Sequence, residues 1–417
     1  MRILPVLFAF LFFVRVGAAA AAEAGGPEAA ARALSLRVAE SPEGVEKLFD
    51  KKFFRSVSLP QLEEILRSLY RGGGRVVSVR LEKAEGELAG RFVYATDQGY
   101  EIPVALSLDP DSGGINGVFF KTPYKRDVTL AQVETDLAAL PGRAGLLVER
   151  LGKEPERLAG LNEKEYFAVG SVFKLYVLGA LLEERVPWGR VFRLKDEDRS
   201  LPSGRLQDWP EGSPLTAHTL ATMMISESDN TAADMLISAM GRRRIEVRLP
   251  ALGHSSPALL TPFLKTSDLF RLRADTEAAV KYMNLPAGQK TAFLDKLPAQ
   301  PLSADKVRRS PFGVARLEWN ASPEDVCALM GYFARGGAEA LDIMGINKGL
   351  EIPPAFAYAG YKGGSEPGVL SMAWLLRKGE SDWYCLAASW NSDKEDLDEL
   401  KFSGLMRSAL NALAAAK

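Results

Sequence analysis

Histidine and cysteine are scarce: in 417 residues the chain has only two of each, His218 and His254, Cys327 and Cys385. Two histidines far apart, with no clustered carboxylates, leave no convincing ligand set for a metal hydrolase, because a catalytic zinc needs three protein ligands. The expectation is no metal and no cofactor. A Ser-His-Asp hydrolase is disfavoured for the same shortage and because no Gly-x-Ser-x-Gly elbow occurs. His218 in "SPLTAHTLATMM" sits near a helix start, and His254 in "LGHSSP" reads as a loop residue. An excess of either charge is also missing, with 52 Lys and Arg against 53 Asp and Glu. No overall field draws such a chain to nucleic acid or to an anionic membrane, so the expected partner is a small molecule. No internal repeat occurs, and no apolar run is long. The stretch from Ile3 to Val14 ends at Arg15, well short of the roughly 20 residues that span a bilayer.

What is there begins with that short run. Arg2 precedes it and "RVGAAAAAEAGG" follows, which reads as a signal peptide over residues 1–24 with cleavage near Ala22 or Ala24. The expectation is export to the periplasm or the medium, with no membrane span after cleavage. Such a compartment permits a disulfide. Cys327 nevertheless falls in a helical pattern and Cys385 in a strand pattern, and both read first as buried small hydrophobes, with a bridge left open.

After an Ala-rich stretch to about residue 33, "SPEGVEKLFDKKFF" and "SLPQLEEILRSLY" read as helices, the second opened by Ser58 as cap with Pro60 just inside. Four strand patterns follow, "RVVSVRLEKA", "GRFVYAT", "YEIPVALSLD" and "INGVFFKTP". Alternation at Val77, Val79 and Leu81, and again at Ile102, Val104 and Leu106, suggests a curved antiparallel sheet with one covered face. Residues 33–123 thus read as a small α+β domain, whose order and size resemble the cone-shaped nuclear transport factor 2 and ketosteroid isomerase fold. "KTPYKRDVT" reads as a linker. A second domain, 130–417, places helices between sheet strands drawn from both its ends, near 355–364, 368–377 and 383–391.

The chemistry centres on "AVGSVFKLYVLGALLEE". Ser171 and Lys174 lie one helical turn apart at the mouth of an apolar segment, so the amine can reach the hydroxyl. A lysine in a dehydrated pocket has its neutral form favoured, and a neutral amine can take the serine proton. The helix start adds N–H groups where an oxyanion would form. One Ser-x-x-Lys is weak evidence, since "SADK" repeats it at Ser303 and Lys306 in a polar stretch. Ser228, Asp229 and Asn230 in "MMISESDNTAADMLI" and Lys362 in "AYAGYKGGSEPGVL" strengthen it. Each alone reads as a capping turn or a hairpin; their joint occurrence in order points to an active site.

Ser-x-x-Lys, Ser-Asp-Asn and Lys-Gly-Gly in this order resemble the three signatures of penicillin-recognising serine enzymes, specifically class A β-lactamases. The resemblance implies a β-lactamase/transpeptidase-like fold, an antiparallel sheet flanked by helices with a helical subdomain. It implies Ser171 as the acylated nucleophile, Lys174 as its proton acceptor or relay, Ser228 as proton donor to the leaving nitrogen, and Lys362 as the charge beside Ser228 and a substrate carboxylate. Asn230, Gly363, Gly364 and Ser365 would line the substrate, with the N–H groups of Ser171 and Ser365 as the oxyanion hole. The chain departs from the family after the Ser-Asp-Asn helix. The usual glutamate motif that activates the deacylating water is missing, and Glu246, beside three arginines, does not replace it. With "LLTPFLKT" and a helical insertion to about 310, the arrangement looks like two-domain serine hydrolases typified by a protein of the clavulanic acid cluster. That relative implies esterase or related acyl-hydrolase activity on a β-lactam, ester or peptide-like substrate, with slow deacylation or a different base. The alternatives are a penicillin-binding sensor and a DD-peptidase-like protein that acylates with little turnover.

Overall fold

The computed structural model describes residues 26–297 and 303–416, so the proposed signal peptide lies outside the described residues. The chain forms two compact units, one up to Val128 together with Asp398–Ala412, the other Thr129–Leu397 together with the residues from Leu413.

In the first unit, helices α1 (Pro27–Ser35) and α2 (Leu59–Gly73) precede strands β1 (Val76–Ala84), β2 (Ala89–Thr96), β3 (Tyr100–Leu108), β4 (Ile115–Phe120) and the short β5 (Tyr124–Lys125). The sheet runs β1-β2-β3-β4, with β5 also pairing β3, all antiparallel. Leu62, Leu66 and Leu69 of α2 pack with Phe92, Tyr94, Ile102, Val104 and Leu106. The spacing of these residues gives one apolar helix stripe against one sheet face. Helix α2 starts as expected, the Ser58 N–H donating to Gln61 Oε1 at 2.9 Å with Pro60 in the first turn. The segment before it does not form the expected helix. Two 3-10 turns form instead, Val45–Leu48 and Phe53–Arg55, because between them Phe49 is extended and bridges to Ile115, with the Asp50 N–H donating to Ile115 O at 2.9 Å. The Ala-rich stretch supplies a helix instead. The expected alternation holds in β3 but not in β1, where Val77 and Leu81 are exposed. Irregular register between Val76 and Ser78 and between Leu81 and Lys83 breaks the period of two on this edge strand.

The second unit opens with α3 (Leu130–Ala138), β6 (Arg143–Leu151), β7 (Glu156–Leu161) and β8 (Phe167–Ala168). A 3-10 turn, Gly170–Phe173, runs into α4 (Lys174–Glu183). Next come β9 (Val191–Arg193), β10 (Pro214–Thr216), α5 (Ala217–Ser226), α6 (Asn230–Met240) and α7 (Arg242–Arg248). The insertion forms α8 (Thr266–Ala274), α9 (Thr276–Asn284), α10 (Ala287–Leu294) and α11 (Val314–Leu317). β11 (Asn320–Ala321) then pairs with β8, and α12 (Pro323–Arg335) and α13 (Ala338–Gly345) lead to β12 (Phe356–Glu366), β13 (Val369–Lys378) and β14 (Asp382–Asn391). The main sheet, β12-β13-β14-β6-β7, is antiparallel and draws its strands from both ends of the unit. The unit is mixed α and β, an antiparallel sheet flanked by helices, the arrangement that the resemblance implied. α4 is buried along most of its length, with Leu175, Val177, Leu178 and Leu181 in the core.

Two features go beyond the sequence reading. Cys327 of α12 and Cys385 of β14 form a disulfide, with Cα atoms 5.5 Å apart; a helix pattern and a strand pattern do not show that the two elements pack face to face. The closing helix α14 (Glu399–Ala415), assigned from the sequence to the second domain, is grouped over Asp398–Ala412 with the first unit. There Arg407 Nη1 donates to Thr122 O at 2.8 Å and the Lys125 N–H to Ser408 Oγ at 2.9 Å. Among the described residues no helix is long and apolar enough to cross a membrane.

Candidate active site

Ser171 reaches its place through β8 and the 3-10 turn. The Val169 N–H donates to Trp319 O at 2.9 Å, and the Phe173 ring stacks on Trp319 with centroids 3.8 Å apart. Gly170, between them, has a left-handed φ of 48°, and a Cβ there would stand 3.2 Å from Ser365 N. A Cβ on Gly364 of β12 would collide with Val169 O and come within 2.7 Å of Ser171 N. These glycines let the Ser171 turn and strand β12 approach closely, which sets the N–H groups of Ser171 and Ser365 beside one another. Gly170 was missed in the sequence, although a glycine directly before the nucleophile was visible there.

Lys174 is fully buried at the start of α4. Its Nζ donates to Ser228 O at 2.6 Å, Ser228 Oγ at 3.1 Å and Asn230 Oδ1 at 2.6 Å. Burial disfavours its charge and pushes the amine down to about 7, against the opposing pull of Asp229, Asp234 and Glu366. The neutral amine is then populated at ordinary pH and offers a lone pair. Lys362, also buried, donates to Ser228 Oγ at 3.0 Å and to Gly363 O at 2.6 Å. Burial first, and the nearby Lys174 second, hold it well below the ordinary lysine range. Ser228 Oγ therefore sits between two amines, both within hydrogen-bond reach, and can pass a proton between them.

Ser228 has a left-handed φ of 56°, a conformation that costs a non-glycine residue roughly 1–2 kcal/mol. Its neighbours hold it there. The Asp229 carboxylate accepts from the N–H groups of Arg205 at 2.7 Å, Leu206 at 3.0 Å and Ala232 at 2.8 Å, the last capping α6. Asn230 Nδ2 donates to Leu201 O at 2.6 Å, so the amide orientation that presents Oδ1 to Lys174 follows from its partners. One turn on, buried Asp234 accepts from the N–H groups of Thr266 at 2.7 Å and Ser267 at 2.9 Å, fixing α8 to α6.

Other residues noted in the sequence have different surroundings. Glu246 Oε1 accepts from the Phe263 N–H at 3.0 Å and Oε2 lies 3.6 Å from Arg243, which ties the carboxylate to the segment before α8. His218 is exposed. His254, although in a loop, is buried: its Nε2 meets Asn320 O at 2.9 Å and its Nδ1 accepts from the Ser256 N–H at 3.1 Å. That pattern assigns the neutral Nε2–H tautomer and a structural role. Ser303 and Lys306 lie exposed in a turn, with the Ser303 hydroxyl bonded to Asp305. A buried group absent from the sequence reading lies at the end of β12. Arg273 Nη2 is 3.0 Å from Glu318 Oε1 and its Nη1 is 3.5 Å from Glu366 Oε2. The hint available in the sequence was the acid following "KGGS", four residues past Lys362 on a strand.

Residues 129–308 match the β-lactamase enzyme family. Among solved structures, the chain is similar to PBP-A (18% identity, 68% of this chain and 94% of that chain, TM-score 0.47). It is also similar to a β-lactamase from Sphaerobacter thermophilus (19%, 69% and 94%, 0.46) and one from Desulfarculus baarsii (17%, 70% and 100%, 0.48). No curated protein matches.

Proposed function

With a β-lactamase-family domain over residues 129–308 as premise, we propose that the protein is a serine hydrolase of the class A type that acylates Ser171 with a β-lactam or a related ester or amide. The observation that carries this is Lys174, buried, depressed to about 7 and hydrogen-bonded to both Ser228 and Asn230. In its neutral form the amine takes the Ser171 proton as Oγ attacks the carbonyl carbon. The Ser171 and Ser365 N–H groups receive the oxyanion, each donor worth roughly 10² to 10³ in rate. Ser228, bridged between Lys174 and Lys362, returns the proton to the leaving nitrogen or oxygen, and the buried Lys362 ammonium or amine orients an anionic group of the substrate.

Export completes the proposal. The basic, apolar and small-residue succession at the N-terminus supports a signal peptide, and the Cys327–Cys385 bond fits an oxidising compartment. The first unit's helices over an antiparallel sheet support the nuclear transport factor 2-like reading for it.

The test mixes purified protein with a chromogenic cephalosporin and follows product and intact mass beside Ser171→Ala. A Ser171-dependent adduct with many turnovers supports the hydrolase. An adduct that persists favours the sensor or peptidase-like alternative, and absence of both product and adduct with cephalosporin and with a chromogenic ester overturns the reading.

A further inference from the structure

Hydrolysis of an acyl-serine needs a base for the attacking water, and the glutamate between α6 and α8, Glu246, is committed to the Phe263 N–H. Strand β12 offers another. Side chains two apart on a strand share a face, spaced roughly 6.7 Å, so Lys362, residue 364 and Glu366 look the same way. Lys362 on that face reaches Ser228 Oγ, and the Cβ direction of Gly364 points at Ser171 N. Glu366 is the next residue along it and directly follows Ser365, the second oxyanion donor. Its side chain is 11% exposed, so it is neither solvated nor sealed.

We propose, on the acyl-serine reading above, that Glu366 is the general base of deacylation, held in place by Arg273 and backed by Glu318. Its carboxylate removes a proton from a water between it and the ester, and the water oxygen bonds to the acyl carbon. The tetrahedral intermediate then collapses, the carbon–Oγ bond breaks, and Ser171 Oγ recovers the proton from Glu366 as the acid product leaves. No further reactant is needed.

The surroundings of Glu318 and Arg273 support the assignment. Both Glu318 carboxylate oxygens are buried without a hydrogen bond, leaving one arginine to face two acids. Two carboxylates sharing one cation tend to retain a proton between them. Burial and the Glu318 charge push Glu366 up to about 8, against the pull of Arg273 and Lys174, so it accepts a proton readily. Glu318 also lines a cavity of about 200 Å³ beside Leu264, Trp319 and Asn320, adjoining the strand that pairs with β8.

The experiment separates acylation from deacylation by stopped-flow and intact mass with the chromogenic cephalosporin. Glu366→Gln is expected to form the Ser171 adduct at the wild-type rate, within about threefold, and to lose it about 100-fold or more slowly. Wild-type deacylation should rise with pH through about 8, and this limb should vanish in Glu366→Gln. Glu318→Gln, which removes the like charge but keeps the base, should move the limb toward acid while turnover persists. A purely structural role for the pair would leave the limb where it is. Unchanged deacylation in a folded Glu366→Gln, an unmoved limb in Glu318→Gln, or a wild-type adduct that never decays overturns the proposal. Failure of the wild type to acylate at all would instead count against the serine hydrolase reading on which it rests.

Discussion

The chain contains Ser-x-x-Lys twice, and the two copies have opposite surroundings. Ser171 and Lys174 lie at the head of a buried helix, with the amine enclosed by Ser228 and Asn230. Ser303 and Lys306 lie exposed in a turn whose serine is engaged by Asp305. The spacing is the same in both places; what differs is desolvation, which favours the neutral amine only at Lys174. A motif of this kind is therefore evidence in proportion to the apolar segment behind it.

The largest effect expected is on chemistry. Ser171→Ala and Lys174→Met should each reduce acylation by about 10³-fold or more, a loss in the range of removing a nucleophile or its base. Ser303→Ala and Lys306→Ala should change it by less than about twofold. Intact mass and initial rates on the four variants check the contrast, and equal losses at both copies would break it.

A stability measurement sharpens the same comparison. Lys174 binds its proton more weakly in the folded chain, at about 7, than an unfolded lysine does. Below pH 7 both states hold the proton and the burial penalty is complete. Between about 7 and the ordinary lysine range the unfolded state holds more protons, so this residue makes stability rise with pH. That slope, read by denaturant titration across the interval, should flatten in Lys174→Met and persist in Lys306→Met.

The second unit also differs from the first in its covalent tie. Cys327 and Cys385 lie 58 positions apart in the sequence, and removing such a link costs roughly 2–4 kcal/mol. Cys327→Ser with Cys385→Ser should lower the unfolding midpoint of the second unit and leave the first, as followed by hydrogen exchange. The smallest effect is expected at Glu246→Gln: about 1 kcal/mol lost from the contact with the Phe263 N–H, and deacylation unchanged.

The three motifs were readable because each is local. What drew them together, the close approach of Gly170 and Gly364 and the left-handed Ser228 held by Asp229, depends on backbone geometry that residue types only hint at. The helix expected over 41–54 failed because Phe49 and Asp50 pair with Ile115, a partner far along the chain that an apolar period does not reveal. The Arg273, Glu318 and Glu366 group was not legible, since its members come from a helix, the approach to β11 and a strand end, and only folding brings their charges together. The disulfide was open for the same reason.

The most direct test of the central claim, that a buried and neutralisable Lys174 arms Ser171, is the pH dependence of Ser171 acylation in the wild type and in Lys174→Arg. Acylation should climb as pH rises through about 7 and then level, while Lys174→Arg, which stays charged, should lose the climb and fall by about 10³-fold. A flat wild-type profile, or an arginine variant that acylates at the wild-type rate, would contradict it.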